Sequence, residues 1–495
     1  MKISTHHIFY AFVIASTLLC INSKGQDMSM EKAIETARKQ SVQALQAKQA
    51  FISTYWAYKA YQASRLPSLS LYGNILNFNR SLTLMQSYED GDLRYVNSYN
   101  LQNGIGLNLS QNISLTGGTI SVYSDLSRID QFGTSNPLNW YSQPVTISYS
   151  QPLFAYNQFK WNDLIEPKEY EKGKREYLES MEYLTLNVVK SYYDLLLSQM
   201  NYKNAISNYN NTSKMLKVAK ERLYLGSVSK DEYLQLELRM LNDSIAINES
   251  EVTFRQMQMQ LNSLLGFDES IEIRPIIDDY LPDLCLNYEE VLDKCLANSS
   301  FNLENELKKL TADSDVAKAK ASSGLSVSLN ARFGLSKSDI NFPDVYKNLQ
   351  DQEMIGITFS IPIFDWGVGK GKVEKAKAAR EVINAQVAQS ENDYRRTIYS
   401  IVNEFNNKKS QCLTSKRAMI IASERYSLIM EKFQNGNASV LELNTAQSEN
   451  DTARLKFIND ISNYWQSYYT LRSYALYDFQ NGRNLDIDEQ ELIVQ

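Results

Sequence analysis

Histidine is almost missing from this 495-residue chain. The two present, His6 and His7, fall within the first seven residues, so everything downstream lacks an imidazole for general-base chemistry or metal ligation. Glycine and proline are sparse, at 19 and 9 residues, while tyrosine reaches 32, a balance expected of long helices combined with aromatic-rich strands. Beyond residue 25 no apolar run approaches the ~20 residues of a spanning helix, so any membrane crossing falls to strands. Positive charge is in deficit as well. The formal charge of −6 becomes −8 once Lys2 and Lys24 are removed with the leader described below, a mild acidity that argues against nucleic acid as a partner. No metal or cofactor site is readable. Of four cysteines, Cys285, Cys295 and Cys412 lie behind the leader. Cys285 and Cys295 could pair in an oxidising envelope, but Cys295 occupies a helical repeat position, so buried free thiols are the other reading.

What the chain does have is, first, a secretory leader over residues 1–25. Lys2 stands near the start, an apolar run extends from Ile8 to Ile21, and small residues follow at Ser23 and Gly25. Lipidation at Cys20 is disfavoured by Leu19, which is bulkier than the residue expected before such a cysteine. The second feature is an internal repeat. Ser150-Gln151-Pro152-Leu153-Phe154 returns as Ser360-Ile361-Pro362-Ile363-Phe364, and the segment ending in Gly226 returns as the one ending in Gly436, both 210 residues later. Nearer the start the offset is 258, as in Ser68 to Leu71 against Ser326 to Leu329, so the first copy holds 48 extra residues between Ser70 and Ser150. Two long units argue for a duplicated domain and against a many-repeat solenoid. The resulting division is signal peptide 1–25, first repeat 26–266, linker 267–286, second repeat 287–480 and polar tail 481–495.

Heptad spacing places long coiled-coil helices in each repeat. Met181, Val188, Leu195, Tyr202, Tyr209, Leu216 and Leu223 recur every seventh residue, and Ile398, Phe405, Cys412, Met419, Tyr426 and Phe433 answer them 210 residues on. A companion seam, Leu184, Ser191, Ser198, Ala205, Thr212 and Ala219, is small enough for close helix approach. From about Lys168 to Leu225 the helix is nearly 60 residues, roughly 85 Å at ~1.5 Å per residue, longer than a compact domain needs. Each long helix ends at a glycine, Gly226 or Gly436. A new one then starts at an N-cap serine, Ser229 or Ser439, with Glu232 or Glu442 three residues later completing a capping box. The helical hairpins span 156–266 and 368–478, and helices from about Met28 to Ser64 and Tyr288 to Ala321 lead into the strands.

Strands are read over about 67–154 and 324–364. Leu325, Val327, Leu329, Ala331 and Phe333 alternate with polar residues, as do Ile355, Ile357, Phe359 and Ile361, giving ten-residue strands greasy on one face, as in a barrel with lipid outside. A half-buried strand of a soluble sandwich has the same period. Leu69 to Asn77 and Val145 to Leu153 hold the matching places, and the extra residues between them read as a hairpin over about 103–128, turning at Thr116-Gly117-Gly118.

The order of these parts resembles the TolC-type outer-membrane efflux proteins: helix, strands, Pro-x-Phe exit, long helix, glycine turn and return helix, twice over. The resemblance covers about Asp27 to Phe479, and its marks are Ser150 to Phe154, Ser360 to Gly367, Arg222 to Gln235 and Lys432 to Thr445. It implies a mixed α and membrane β-barrel fold with an internal two-fold repeat. Three copies would form a trimeric channel, their helices making a periplasmic tunnel and their strands one shared barrel in the outer membrane of a Gram-negative bacterium. It further implies an exit duct without catalysis or cofactor, passively conducting what an inner-membrane pump and a periplasmic adaptor deliver. Pro152, Phe154, Pro362 and Phe364 would mark the passage from barrel to tunnel. Gly226, Ser227, Gly436 and Asn437 would mark the turns where the adaptor docks, and Glu232 and Glu442 an acidic ring at the tunnel entrance. The chain departs from the family at Thr445, where a second acid is expected, at Ala438, in place of the arginine that braces the closed gate, and in the 48-residue insert. Up to six strands per protomer would make an 18-stranded rather than a 12-stranded barrel; alternatively the hairpin caps the pore or fills the lumen. A competing reading is an envelope scaffold that tethers without transport. An enzyme is a more distant one, since no recessed acid pair with supporting residues is readable.

Overall fold

The computed structural model describes residues 26–86, 91–132, 138–277 and 280–494; the leader read over 1–25 lies outside the described residues. Two compact units are present. One comprises the residues up to Ile52, Lys174–Ser300 and the chain from Asn392 on; the other comprises Ser53–Gly173 and Phe301–Glu391. In chain order the elements are β1 (Gln26–Met28), α1 (Met30–Gln40), α2 (Val42–Ser64), β2 (Ser68–Gln86), β3 (Leu93–Ile113), β4 (Gly118–Gln131), β5 (Leu138–Leu153), α3 (Gln158–Tyr224), α4 (Lys230–Leu265) and β6 (Ile273–Pro275). There follow α5 (Tyr288–Asn298), α6 (Ser300–Ser322), β7 (Ser326–Asp339), β8 (Gln350–Ser360), α7 (Val368–Gln434), α8 (Val440–Ala475), β9 (Tyr477–Asp478), β10 (Arg483–Asn484) and α9 (Glu489–Val494). Helix lengths match in pairs: 11 residues for α1 and α5, 23 for α2 and α6, 67 for α3 and α7, and 36 for α4 and α8. Among the described residues no helix is long and apolar enough to cross a membrane.

Three helix boundaries differ from the sequence reading. The helix expected from about Met28 to Ser64 is two helices, because Ser41 is extended and buried; its N–H closes α1 on the Ala37 carbonyl while its Oγ accepts from the Ala44 N–H at 3.0 Å. Ser299 divides α5 from α6 by another arrangement: its N–H and its hydroxyl both donate to the Cys295 carbonyl, closing α5. A serine that serves one helix as C-cap and the next as N-cap interrupts the backbone ladder without interrupting the apolar period. The third difference is at α3, which starts ten residues earlier than the heptads suggested and carries Pro167 inside it.

The core of the first unit is aromatic. Met181, Val188 and Leu195 are buried with Ile398 and Phe405, as the heptads require, and the small-residue seam from Leu184 to Ala219 is buried throughout. From Tyr202 onward the larger seam is only half-buried. Buried tyrosines join this core to the segment between α4 and α5, where β6 pairs in parallel with β1. The Tyr192 Oη lies 2.9 Å from the Met28 carbonyl and 2.6 Å from that of Ile276, and Tyr464 donates to the Pro282 carbonyl at 3.1 Å. Each hydroxyl thereby finds a partner away from water, worth about 1 kcal/mol net. The polar tail is ordered against this unit: Glu489 pairs with Lys174 at 2.9 Å. All three cysteines are free thiols. Cys285 is exposed, whereas burial pushes the Cys295 thiol up to about 12 and the Cys412 thiol up to about 11.

The second unit is built on one antiparallel sheet in the order β2-β3-β4-β5-β7-β8. β3 and β4 come from the 48-residue insert, and their turn falls at Gly117, in the left-handed region with φ 76°. The strands run from 11 to 21 residues, longer than the ten expected. β2, read from the sequence only to Asn77, continues to Gln86 past a bulge: Ile75 and Leu76 together oppose Asn103, and Leu76 adopts φ 60° with its N–H on Asn103 Oδ1. Before the bulge the apolar residues are odd-numbered (Leu69, Leu71); after it they are even-numbered (Phe78, Leu82, Leu84), while β3 keeps one phase. The bulge therefore preserves one greasy face while breaking the pattern in sequence.

Candidate functional site

The two helical hairpins of the first unit end in identical backbone devices. At the end of α3, the Gly226 N–H bonds to the Leu223 carbonyl at 3.1 Å and the Ser227 N–H to that of Arg222 at 2.9 Å. At the end of α7, the Gly436 N–H bonds to the Phe433 carbonyl at 3.0 Å and the Asn437 N–H to that of Lys432 at 2.8 Å. With φ of 74° and 83°, both glycines sit in the left-handed position that this paired closure requires and that a Cβ disfavours.

The return helices begin as the serine and glutamate spacing indicated. Ser229 Oγ accepts from the Glu232 N–H at 3.2 Å, and Glu232 Oε2 accepts from the Ser229 N–H at 2.9 Å. Ser439 and Glu442 repeat this at 3.2 Å and 2.8 Å. The backbone N–H of Ser439, then its hydroxyl, hold the Glu442 carboxyl below its ordinary value. Both carboxylates thus cap helices, whatever else they do. Thr445 turns its hydroxyl back to the Leu441 carbonyl, and Ala438 packs against the small apolar cluster at the tips.

Most of the tip residues singled out in the sequence come together here. Ser227, Glu232, Gly436, Asn437 and Glu442 line one cleft of about 440 Å³, alongside Arg222 and Phe433. Gly226 stands at the turn itself, with nothing within 4 Å of where a Cβ would be. Arg222, in the sequence only the first residue of a family mark, has a role there that the spacing did not indicate. From the last turn of α3, its guanidinium donates to the Gln434 carbonyl at 2.9 Å and to that of Phe433 at 3.4 Å, and lies 5.9 Å from the Phe433 ring centroid. One cation therefore serves the negative end of the neighbouring hairpin's helix. The position 210 residues later is Lys432, a cation without the guanidinium fork. Tyr224 and Leu225 were passed over; they stand exposed just before the first turn, where the second has Gln434 and Asn435. Apolar residues beside a glycine turn were the available signal.

Along α3 a polar layer separates this tip cluster from the main core. Asn208 donates to Asp451 at 2.8 Å, Asn211 to the Tyr426 hydroxyl at 3.1 Å, and Thr212 to Asp243 at 2.6 Å, while Arg425 pairs with Glu449. Burial pushes the Asp451 carboxyl up, against the lowering effect of Asn208, Arg454 and Arg239.

Pro152, Phe154, Pro362 and Phe364 belong to the second unit. β5 and β8 flank β7 and run the same way, so both Pro-x-Phe exits leave one end of the sheet. Pro152 lies within β5 opposite Ser328, and Phe154 follows at φ 60°. Phe364 packs edge-on against Trp366 at 4.4 Å, and Asp365 accepts from the N–H groups of Gly367 and Gly369 to start α7.

Residues 292–475 match the family model for outer membrane efflux proteins. No curated protein matches the sequence. Among solved structures, the chain is similar to the CmeC outer membrane channel of Campylobacter jejuni, with a TM-score of 0.66 and 15% identity over 94% of this chain and 88% of that one. VceC of Vibrio cholerae gives 0.61 and 14% over 90% and 95%, and the open MtrE channel of Neisseria gonorrhoeae 0.54 and 14% over 90% and 88%. At such identities the likeness is one of fold. The shared fold and the family match over residues 292–475 together bear out the resemblance to outer-membrane efflux proteins read from the sequence.

Proposed function

We propose that this chain, whose second half matches the outer membrane efflux proteins and whose fold is that of outer-membrane channels, works as the passive exit duct of a tripartite efflux or secretion system. Three copies close a shared barrel in outer-membrane lipid and a helical tunnel in the periplasm. The observation that carries this reading is the sheet. Its apolar face is exposed, with Leu69, Leu107, Ile357 and Phe359 uncovered, and among the described residues its outer strands β2 and β8 each have a free edge. Hydrocarbon on the face and further strands at the edges satisfy both. The matched helix lengths support a duplicated protomer, so that three copies give six near-equivalent hairpins ending level. The tips around Gly226, Ser227, Gly436 and Asn437 are where a periplasmic adaptor and its inner-membrane pump dock. Tyr224 and Leu225 supply an apolar contact there. No step is catalytic, and the pump supplies the energy.

Glu232 and Glu442 from three copies then place six carboxylates around the tunnel entrance, where they attract cations. Glutamine at the same place still completes a capping box, so Glu232→Gln with Glu442→Gln removes charge and keeps the turn. In planar bilayers the purified trimer is expected to conduct and to be blocked by divalent cations, and the double variant to lose much of that block. An unaltered block would remove the entrance assignment, and trimers that never conduct would favour an envelope scaffold.

A further inference from the structure

We infer that the membrane pore of this protein is an 18-stranded barrel, six strands from each of three copies, and therefore wider than the 12-stranded barrel that four strands per copy would close. The inference rests on the trimeric duct reading above and concerns the insert, whose place had three alternatives: barrel wall, cap or plug.

The hairpin β3–β4 is spliced into the sheet. β3 pairs with β2 along nearly its whole length, and β4 pairs with β5, so β2 and β5 do not touch each other. Both faces continue through the inserted strands. Leu69, Leu109, Val122, Ile147 and Phe333 are successive cross-strand neighbours on the apolar face. One residue away on the polar face, Ser68, Ser110, Ser121, Ser148 and Arg332 form the parallel row. A hairpin folded into the lumen or over the mouth has no reason to carry an apolar residue in register with each flanking strand. One that faces lipid does.

The turn of the hairpin is also fixed at the helical end of the sheet. Asn157, which caps α3 through the Lys160 N–H, donates to the Ser114 carbonyl at 2.9 Å. Gln111 donates to the Arg65 carbonyl at 2.8 Å, and Gln151 to that of Thr116 at 2.7 Å. The inserted strands therefore begin level with those that continue into helices. Glycine makes room for the polar face: Gly106 leaves space for Tyr72, whose hydroxyl bonds to Asp125 across β3.

The remaining free edges are β2 and β8, and in lipid they must pair, which a second copy of the chain provides. Barrel diameter grows roughly linearly with strand number, so 18 strands give about one and a half times the diameter of 12 and about twice the cross-section. Barrels of 16 to 18 strands leave an aqueous channel.

Electron cryomicroscopy of the detergent-extracted full chain counts the strands directly, and 18 are expected; 12 strands with the hairpin inside or above the pore would overturn the inference. In native outer membranes, the pairs Leu69→Cys with Leu109→Cys and Val122→Cys with Ile147→Cys should cross-link through a short bifunctional reagent, read by peptide mass spectrometry; failure of both pairs in folded trimers also overturns it. A 12-stranded trimer that conducts leaves the duct reading standing. An 18-stranded trimer that does not conduct sustains the strand count and sinks the duct.

Discussion

At the scale of single residues, the tips combine features of short and of long range in the sequence, and only the short-range ones were readable. Gly226, Ser229 and Glu232 act on backbone within six residues of one another, so their spacing declares their roles. Arg222 acts on the carbonyls of Phe433 and Gln434, more than 200 residues away, and nothing near it announces the contact. Replacing Arg222 by alanine removes a charge-assisted pair of bonds from the last turn of α7, a loss of about 1 kcal/mol at this half-exposed site. Backbone amides near Phe433 should then exchange roughly fivefold faster. Lysine should recover part of this, since it keeps the charge without the fork. Unchanged exchange in Arg222→Ala would show that the contact holds nothing. Asp451 gives a pH test. Because burial raises its folded value, the folded state holds the proton more tightly than the unfolded one, and stability declines as pH rises from the ordinary carboxylate value, about 3.9, through the raised one. Asp451→Asn should therefore slow exchange of α3 amides 204–212 at neutral pH, with the advantage gone below about pH 4. An advantage that persists in acid would mean that packing, not ionisation, sets it.

At the scale of elements, periodicity located every long helix and missed what happens between periods. Ser41 and Ser299 cut helices whose apolar pattern runs on unbroken, because a capping serine is itself compatible with either side of the break. The bulge opposite Asn103 did the reverse, breaking the pattern in β2 while the sheet continued. The starts of the return helices, by contrast, were legible to the residue, since the capping box fixes position N3, whereas α8 ends at Ala475, short of the 478 read from the sequence. Their two boxes are geometrically alike, so Ser229→Ala and Ser439→Ala should each destabilise the first turn of α4 or α8 by about 1 kcal/mol, and to the same extent. Amide exchange at Glu232 and Glu442 measures this. A marked inequality would mean that the bonds from Arg222 to the Phe433 and Gln434 carbonyls support the second hairpin's entry as well.

At the scale of the whole molecule, one chain leaves apolar stripes exposed that the proposed trimer would cover. On α4, Leu238, Ile245, Val252 and Met259 recur every seventh residue and are exposed, Leu238 at 61%, with Leu234 and Leu241 beside them. On α7, Leu413, Ile420, Ile421 and Leu428 form a second exposed stripe. A repeat of seven is the spacing of a coiled-coil seam, so on the trimeric reading proposed above each stripe is expected to pack against a helix of another copy. The sequence reading found the seams that close the hairpins and not these, because a heptad pattern does not say whether its partner lies in the same chain. Since the stripe is already exposed in the protomer, Ile245→Lys with Val252→Glu should cost little within it and much between copies. The expected outcome is a chain of unchanged helix content whose detergent-corrected mass falls from three protomers to one. A variant that stays trimeric would show that the sheet edges of β2 and β8 hold the copies together without the helices, and that the α4 stripe faces something other than a second copy.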